Sequence, residues 1–233
     1  MADAKMVLQP VVSTSIGDRL TFHWFKVFVL FYGLWVGLPF LAPVFMHLNW
    51  GDAGKAIYFI YSLFCHQLPE RSYFIFGQKS MYSLQEIDSV WKNTLDPLTL
   101  RQFIGNQAMG WKVAWSDRMI SFYTSIWVFA LVWRPLRNKV KPLRWWVFGL
   151  LLLPLILDGS THLLSDLSGF GAGFRDTNQW LSVLTNAALP PSFYMGDALG
   201  SFNSWMRILT GLLAGLGIVW FAFPYLEASF AQN

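Results

Sequence analysis

The sequence predicts an all-α polytopic membrane bundle, with four transmembrane helices plus one short re-entrant or interfacial helix. Three observations predict it. Of 233 residues, 55% are hydrophobic and only 13% charged, and 13 Trp and 21 Phe are more than a soluble domain of this size carries. Mean hydropathy is +0.40. Four apolar stretches reach the roughly 17 to 25 residues that a helix needs to cross a bilayer.

The first stretch covers residues 22–48, with His23 and Lys26 at its start and Pro39 and Pro43 placed to kink its far half. The second, "MISFYTSIWVFALVW", is entered through Asp117 and Arg118. The third is "WWVFGLLLLPLILDGSTHLL", residues 145–164, and the fourth "WMRILTGLLAGLGIVWFAFPYL", residues 205–226. A fifth apolar run, residues 56–68, has 13 residues before Pro69 and is too short for a full crossing, although the apolar 73–77 keeps a fifth span open. Between spans, 80–116 is mixed with helical patches, and 169–202 is rich in Gly and Pro around the amphipathic "TNQWLSVLTNAAL". The expected organisation is a tail 1–21, one transmembrane domain 22–226 with outer loops 49–116 and 165–204, and a tail 227–233.

Orientation follows from "RPLRNKVKPLR". It holds Arg134, Arg137, Lys139, Lys141 and Arg144 and no acid. Such a run also suits nucleic acid or anionic lipid, but the excess of basic residues in cytoplasmic loops explains it more simply. The reading is a multi-pass protein of the cell membrane, with both termini cytoplasmic and no nucleic-acid partner. Lys5, Arg19 and Lys26 agree. The N-terminal segment lacks the apolar core of a cleavable signal peptide. One cysteine, Cys65, excludes an intramolecular disulfide and a CxxC metal knuckle. No internal repeat is evident.

Within "PLILDGSTHLLSDLSGFG", Asp158, His162 and Asp166 recur every four residues and so share one helical face. At about 1.5 Å per residue they stand roughly 21, 27 and 33 Å above Arg144, from inside the outer leaflet to its surface. Asp117 and Arg118, Arg207 with Asn203 one turn before it, and "CHQLPERS" (65–72) reach the same side. His66, Glu70, Arg71, Asp117, Arg118, Asp158, His162, Asp166, Asn203 and Arg207 are therefore expected in one outward-facing pocket. The cytoplasmic halves of the spans carry almost no ionisable group. Each residue also has a plainer reading: arginines snorkel to head groups, His66 sits at an interface, and Asp166 is solvated. Asp158 lies deepest and needs a partner, either Arg118 or Arg207 in a structural pair or a functional group. Gly159 beside it allows close backbone approach.

Two chemistries suit this set. Asp158, His162 and His66 could ligate a divalent metal such as zinc, although no HExxH or Cys-rich spacing supports that. Alternatively, Arg71, Arg118, Arg207 and Asn203 bind a phosphate or carboxylate, and Asp158, His162 and His66 supply acid–base catalysis. No Ser-His-Asp motif, P-loop or Rossmann fingerprint is present, and nothing marks Ser160 or Ser165 as activated. "GLLAG" (211–215) is a GxxxG that packs a helix of the same chain more often than a dimer partner.

"CHQLPERS", "SDRMISFY", "PLILDGSTHLL" and "NSWMRILTGLLAGLG" stand in that order, and over residues 58–217 they resemble the prokaryotic membrane family catalogued as domain of unknown function 2085. The resemblance implies a bacterial helical-bundle protein and points to Cys65, His66, Gln67, Arg71, Ser72, Arg118, Asp158, Gly159, Arg207, Thr210 and Gly211. Many members carry cysteines flanking the arginine of the second signature. Here Ser116 and Met119 stand there, which argues against a cysteine-ligated metal. The resemblance implies a site and no particular reaction. The expected function is an enzyme acting on a lipid or lipid-linked anionic substrate at the outer face. The alternatives are a transporter or ion-pathway component, or a structural subunit, within a homo-oligomer or larger membrane complex.

Overall fold

A computed structural model describes residues 23–231, so the expected tail 1–21, with Lys5 and Arg19, lies outside the described residues. In chain order the elements are α1 (Trp24–His47), α2 (Gly51–Ser62), a 3-10 turn (Pro69–Arg71), β1 (Ser72–Ile75), α3 (Leu84–Asp88), α4 (Pro97–Leu100), β2 (Gly105–Asn106) and β3 (Gly110–Ser116). Then follow α5 (Asp117–Leu136), α6 (Trp145–Leu167), α7 (Phe174–Thr177), α8 (Gln179–Leu184), α9 (Pro191–Tyr194) and α10 (Phe202–Ala231). Four of these helices, α1, α5, α6 and α10, are long and apolar enough to cross a membrane. They pack in the spatial order α1–α5–α10–α6. Pro39 and Pro43 both lie inside a helix that continues past them.

The fifth apolar run does not make a span. Its helix, α2, has 12 residues and starts and stops earlier than the apolar pattern suggests. At about 1.5 Å per residue it is roughly 18 Å long, well short of a bilayer core of about 30 Å. Gln67 then takes a left-handed φ of 52°, and Pro69 opens the 3-10 turn.

Helix α10 lies against α5 at Gly211 and Gly215. A Cβ on Gly211 would come within 2.2 Å of Ser121 Oγ, and one on Gly215 within 1.9 Å of Ser125 Oγ. The GxxxG therefore packs a helix of its own chain. Ser121 and Ser125 complete the contact by donating to the carbonyls of Arg207 and Gly211, at 3.0 and 3.2 Å. Below this seam, Ile126, Ala130, Trp133, Val219 and Phe223 form a buried cluster, with Trp24, Phe25 and Phe28 of α1 packed on it.

The stretch 80–116, read as mixed with helical patches, contributes β2 and β3 to a small antiparallel sheet, ordered β1-β3-β2. All but one residue of β3 are buried, so it lacks the in–out alternation that marks a strand. Lys112 sits inside it, fully buried, and donates from Nζ to the carbonyls of Gln67 (2.6 Å) and Arg101 (2.7 Å). The register pairs Ser72 with Ser116. Since Ser116 is the N-cap of α5, this pairing brings Arg71 beside Asp117 and Arg118.

Candidate functional site

At the end of the bundle where α5 and α10 begin and α6 finishes, charged side chains from all three helices meet those of the loops. Asp158 accepts from Arg118 Nη2 through Oδ2 at 2.7 Å, as its depth demands. Its other oxygen, Oδ1, accepts from Arg175 Nη2, also at 2.7 Å. Arg207 instead donates through Nε to both oxygens of Asp117 at 2.8 Å, and through Nη1 to Asp197 Oδ1 at 2.6 Å. Asp197 Oδ2 also accepts from Arg71 Nε at 2.7 Å, and Arg71 forks onto both oxygens of Asp166 at 2.8 Å. Four arginines thus meet four aspartates in two sets, bridged by His162 between Arg118 and Arg207.

His162, 2% exposed, stands between these sets. Its Nδ1 lies 3.3 Å from Arg118 Nη2 and 3.1 Å from the Asp158 carbonyl. Its Nε2 lies 3.3 Å from Arg207 Nη1 and 3.5 Å from Asp197 Oδ1. Its Nδ1 also lies 3.5 Å from Asp158 Oδ1, so a carboxylate and a guanidinium face the ring on either side. Glu70, also buried, has no hydrogen-bond partner on either side-chain oxygen among the described residues and stands 3.7 Å from Arg71. Burial pushes its carboxyl up to about 7, against the pull of Arg71. Burial likewise pushes the nearby Lys112 ammonium down to about 7. Asp197 goes the other way: burial raises its carboxyl, but Arg71 and Arg207 outweigh that and hold it well below the usual range.

His66 occupies the rim and makes no hydrogen bond among the described residues. With Arg71, Ser116, Asp117, Arg118, Met119 and Arg207 it encloses a gap of about 20 Å³, room for little more than one water. Crowding by protein, then the Arg71 and Arg118 guanidinium groups, push its imidazole down to about 4, so it is neutral at pH 7. The set expected from sequence therefore converges, with His66 at its edge.

The metal reading gains no support. Among the described residues no group of three or more His, Cys, Asp and Glu could hold an ion. Asp158 spends its oxygens on two arginines, and His162 has a guanidinium 3.3 Å from each ring nitrogen, where a metal would have to sit. Gly159 proves less special than expected, since a Cβ there would meet Arg118 Nη1 at an ordinary 3.7 Å. Asn203 is tied up internally. It accepts from Arg175 Nε at 3.1 Å and donates to the carbonyls of Arg175 (2.7 Å) and Gly196 (3.0 Å).

Two members of the network, Arg175 and Asp197, come from the Gly-rich loop and were not anticipated. Their signal was faint: Asp197 is a lone charge beside a glycine, and Arg175 stands next to Asp176, which masks it as a local pair. Gly173 is what lets Arg175 in. A Cβ at Gly173 would sit 2.1 Å from Ser165 Oγ and 2.3 Å from the Ser165 carbonyl oxygen, so only glycine lets the loop lie this close to α6. Ser165 Oγ then accepts from Arg175 N at 3.0 Å. Away from the network, a groove of about 650 Å³ between α1 and α5 is lined by apolar side chains and Lys26.

The family model described as "Predicted membrane protein (DUF2085)" matches residues 107–221, which bears out the resemblance. That stretch holds Arg118, Asp158, His162 and Arg207, whereas "CHQLPERS" precedes it. An uncharacterized protein of the archaeon Methanocaldococcus jannaschii, MJ1492, is 25% identical over 194 residues, covering 79% of this chain and 81% of that protein. This similarity to an archaeal protein gives no support to a specifically bacterial origin. No solved structure matches.

Proposed function

We propose that this chain, which carries the DUF2085 domain over residues 107–221, works at the outer face of a cell membrane on a lipid or lipid-linked substrate with an anionic head. The reading rests on one observation: Arg118, partly exposed beside unbonded His66, is held from behind by buried Asp158 and His162. The basic loop 134–144, at the opposite end of α5 and α6, supports an outward orientation.

Each arginine is already paired, so an anion must displace a carboxylate. Asp166 gives way most easily. Its side chain is 26% exposed, the most of the four aspartates in these ion pairs, and Arg71 is its partner. A phosphate or carboxylate head replacing it keeps the fork geometry of Arg71 and sits near Arg118 and His66. Asp158 and His162, behind the Arg118 guanidinium, hold it in position for the head.

A second reading, a structural subunit, is favoured by the full pairing of the arginines and by the smallness of the gap. Binding separates the two. Full-length protein in nanodiscs should bind short-chain phosphatidic acid on the order of tenfold more tightly than short-chain phosphatidylcholine, and Arg118→Gln should remove the difference. Equal binding of both lipids by the unaltered protein sinks the substrate reading and leaves the structural one.

A further inference from the structure

Between α5 and α10, on the membrane-facing side of the bundle, runs a groove of about 290 Å³. Its walls include Tyr73 and Asp117 at the network end, Ser121 and Thr124 midway, and Val128 and Leu212 at the far end. We propose that this groove holds the alkyl chain of an outer-leaflet amphiphile whose anionic head takes the place of Asp166 on Arg71, beside His66 and Arg118. This rests on the substrate reading above and adds the class of substrate and its route of entry, sideways from the bilayer.

Three features fit that occupant. Asp117 is a wall of both the gap and the groove, so the two spaces are neighbours through one residue. From Asp117 to Val128 is eleven residues of helix, about 16 Å, close to one leaflet of a core about 30 Å thick. The wall is apolar where a chain would lie. Ser121 and Ser125 donate their hydroxyls to backbone carbonyls, and Val128 and Leu212 are exposed. Thr124 Oγ1 differs: it is buried without a hydrogen-bond partner among the described residues. A donor left unmatched at membrane depth is costly, and an ester or hydroxyl oxygen along the ligand would satisfy it.

The test uses the full chain in phosphatidylcholine vesicles doped with phosphatidic acid bearing a diazirine on its chain. Adducts on residues 120–129 and 208–212 are counted against those on the exposed α6 face, at Leu150, Leu153, Ile156 and Leu157. The groove-to-face ratio should exceed that of a tail-matched phosphatidylcholine probe on the order of tenfold. Val128→Trp, which plugs the far end, should abolish the excess and leave binding of glycerol phosphate, a head without a tail, unchanged. If glycerol phosphate binds but the ratio shows no excess, or the groove yields crosslinks to a second copy instead, the groove assignment falls and the head site stands. If neither probe binds, the substrate reading falls and takes the groove with it.

Discussion

Neutralising Asp158 strands two guanidinium groups at once. Arg118 and Arg175 each donate to a different oxygen of Asp158 at 2.7 Å, and Asp158 itself is 6% exposed. Removing one partner of a buried pair costs about 3–5 kcal/mol, because the remaining charge stays desolvated. The two arginines are not equivalent. The Arg118 side chain is 19% exposed and keeps some water, whereas that of Arg175 is 9% exposed and is held by Asn203 and Thr161. Most of the loss in Asp158→Asn therefore belongs to Arg175. Thermal unfolding in detergent should show the apparent Tm falling by about 6–20 °C, taking roughly 2–4 °C per kcal/mol for a chain of this size. Adding Arg175→Gln should recover part of that loss, with a coupling of about 1–3 kcal/mol. A single variant within about 1 kcal/mol of the unaltered protein would refute the buried-network account, as would a double variant whose loss is the sum of the two singles.

Glu70 gives a pH dependence of known sign. Its carboxyl is pushed up from 4.5 to about 7 in the folded chain, so between those values the unfolded chain releases a proton that the folded one keeps, and stability falls as pH rises. Glu70→Gln should match the unaltered protein near pH 4 and exceed its stability by at most about 3 kcal/mol near pH 8; a parallel decline in both chains would contradict this. Topology can be read with one engineered thiol, because Cys65, the chain's single cysteine, is buried. Asn138→Cys should label only in permeabilised cells and Val183→Cys, 79% exposed, in intact ones; the reverse pattern would place the network at the cytoplasmic face.

What the sequence makes legible follows from range. A span is a local property, as is a four-residue spacing, so the four long helices and the Asp158–His162–Asp166 face could be read directly, and the need of Asp158 for a cation led to Arg118 or Arg207, of which only Arg118 pairs with it. The sheet could not be read, because β3 is buried on both faces and holds Lys112 where an apolar side chain is expected. Arg175 and Asp197 were hidden because loop residues carry no period that places them against a helix. Charge counting, however, holds a clue that spacing does not. The spans bring Asp117, Asp158 and Asp166 to this end against only Arg118 and Arg207. That leaves one negative charge in excess where water is scarce, which low dielectric makes expensive. The loops correct it, since Arg71 and Arg175 enter with Asp197 and bring the sum to zero. The helices thus require the loops as counter-ions, and the loops are held in place by the helices.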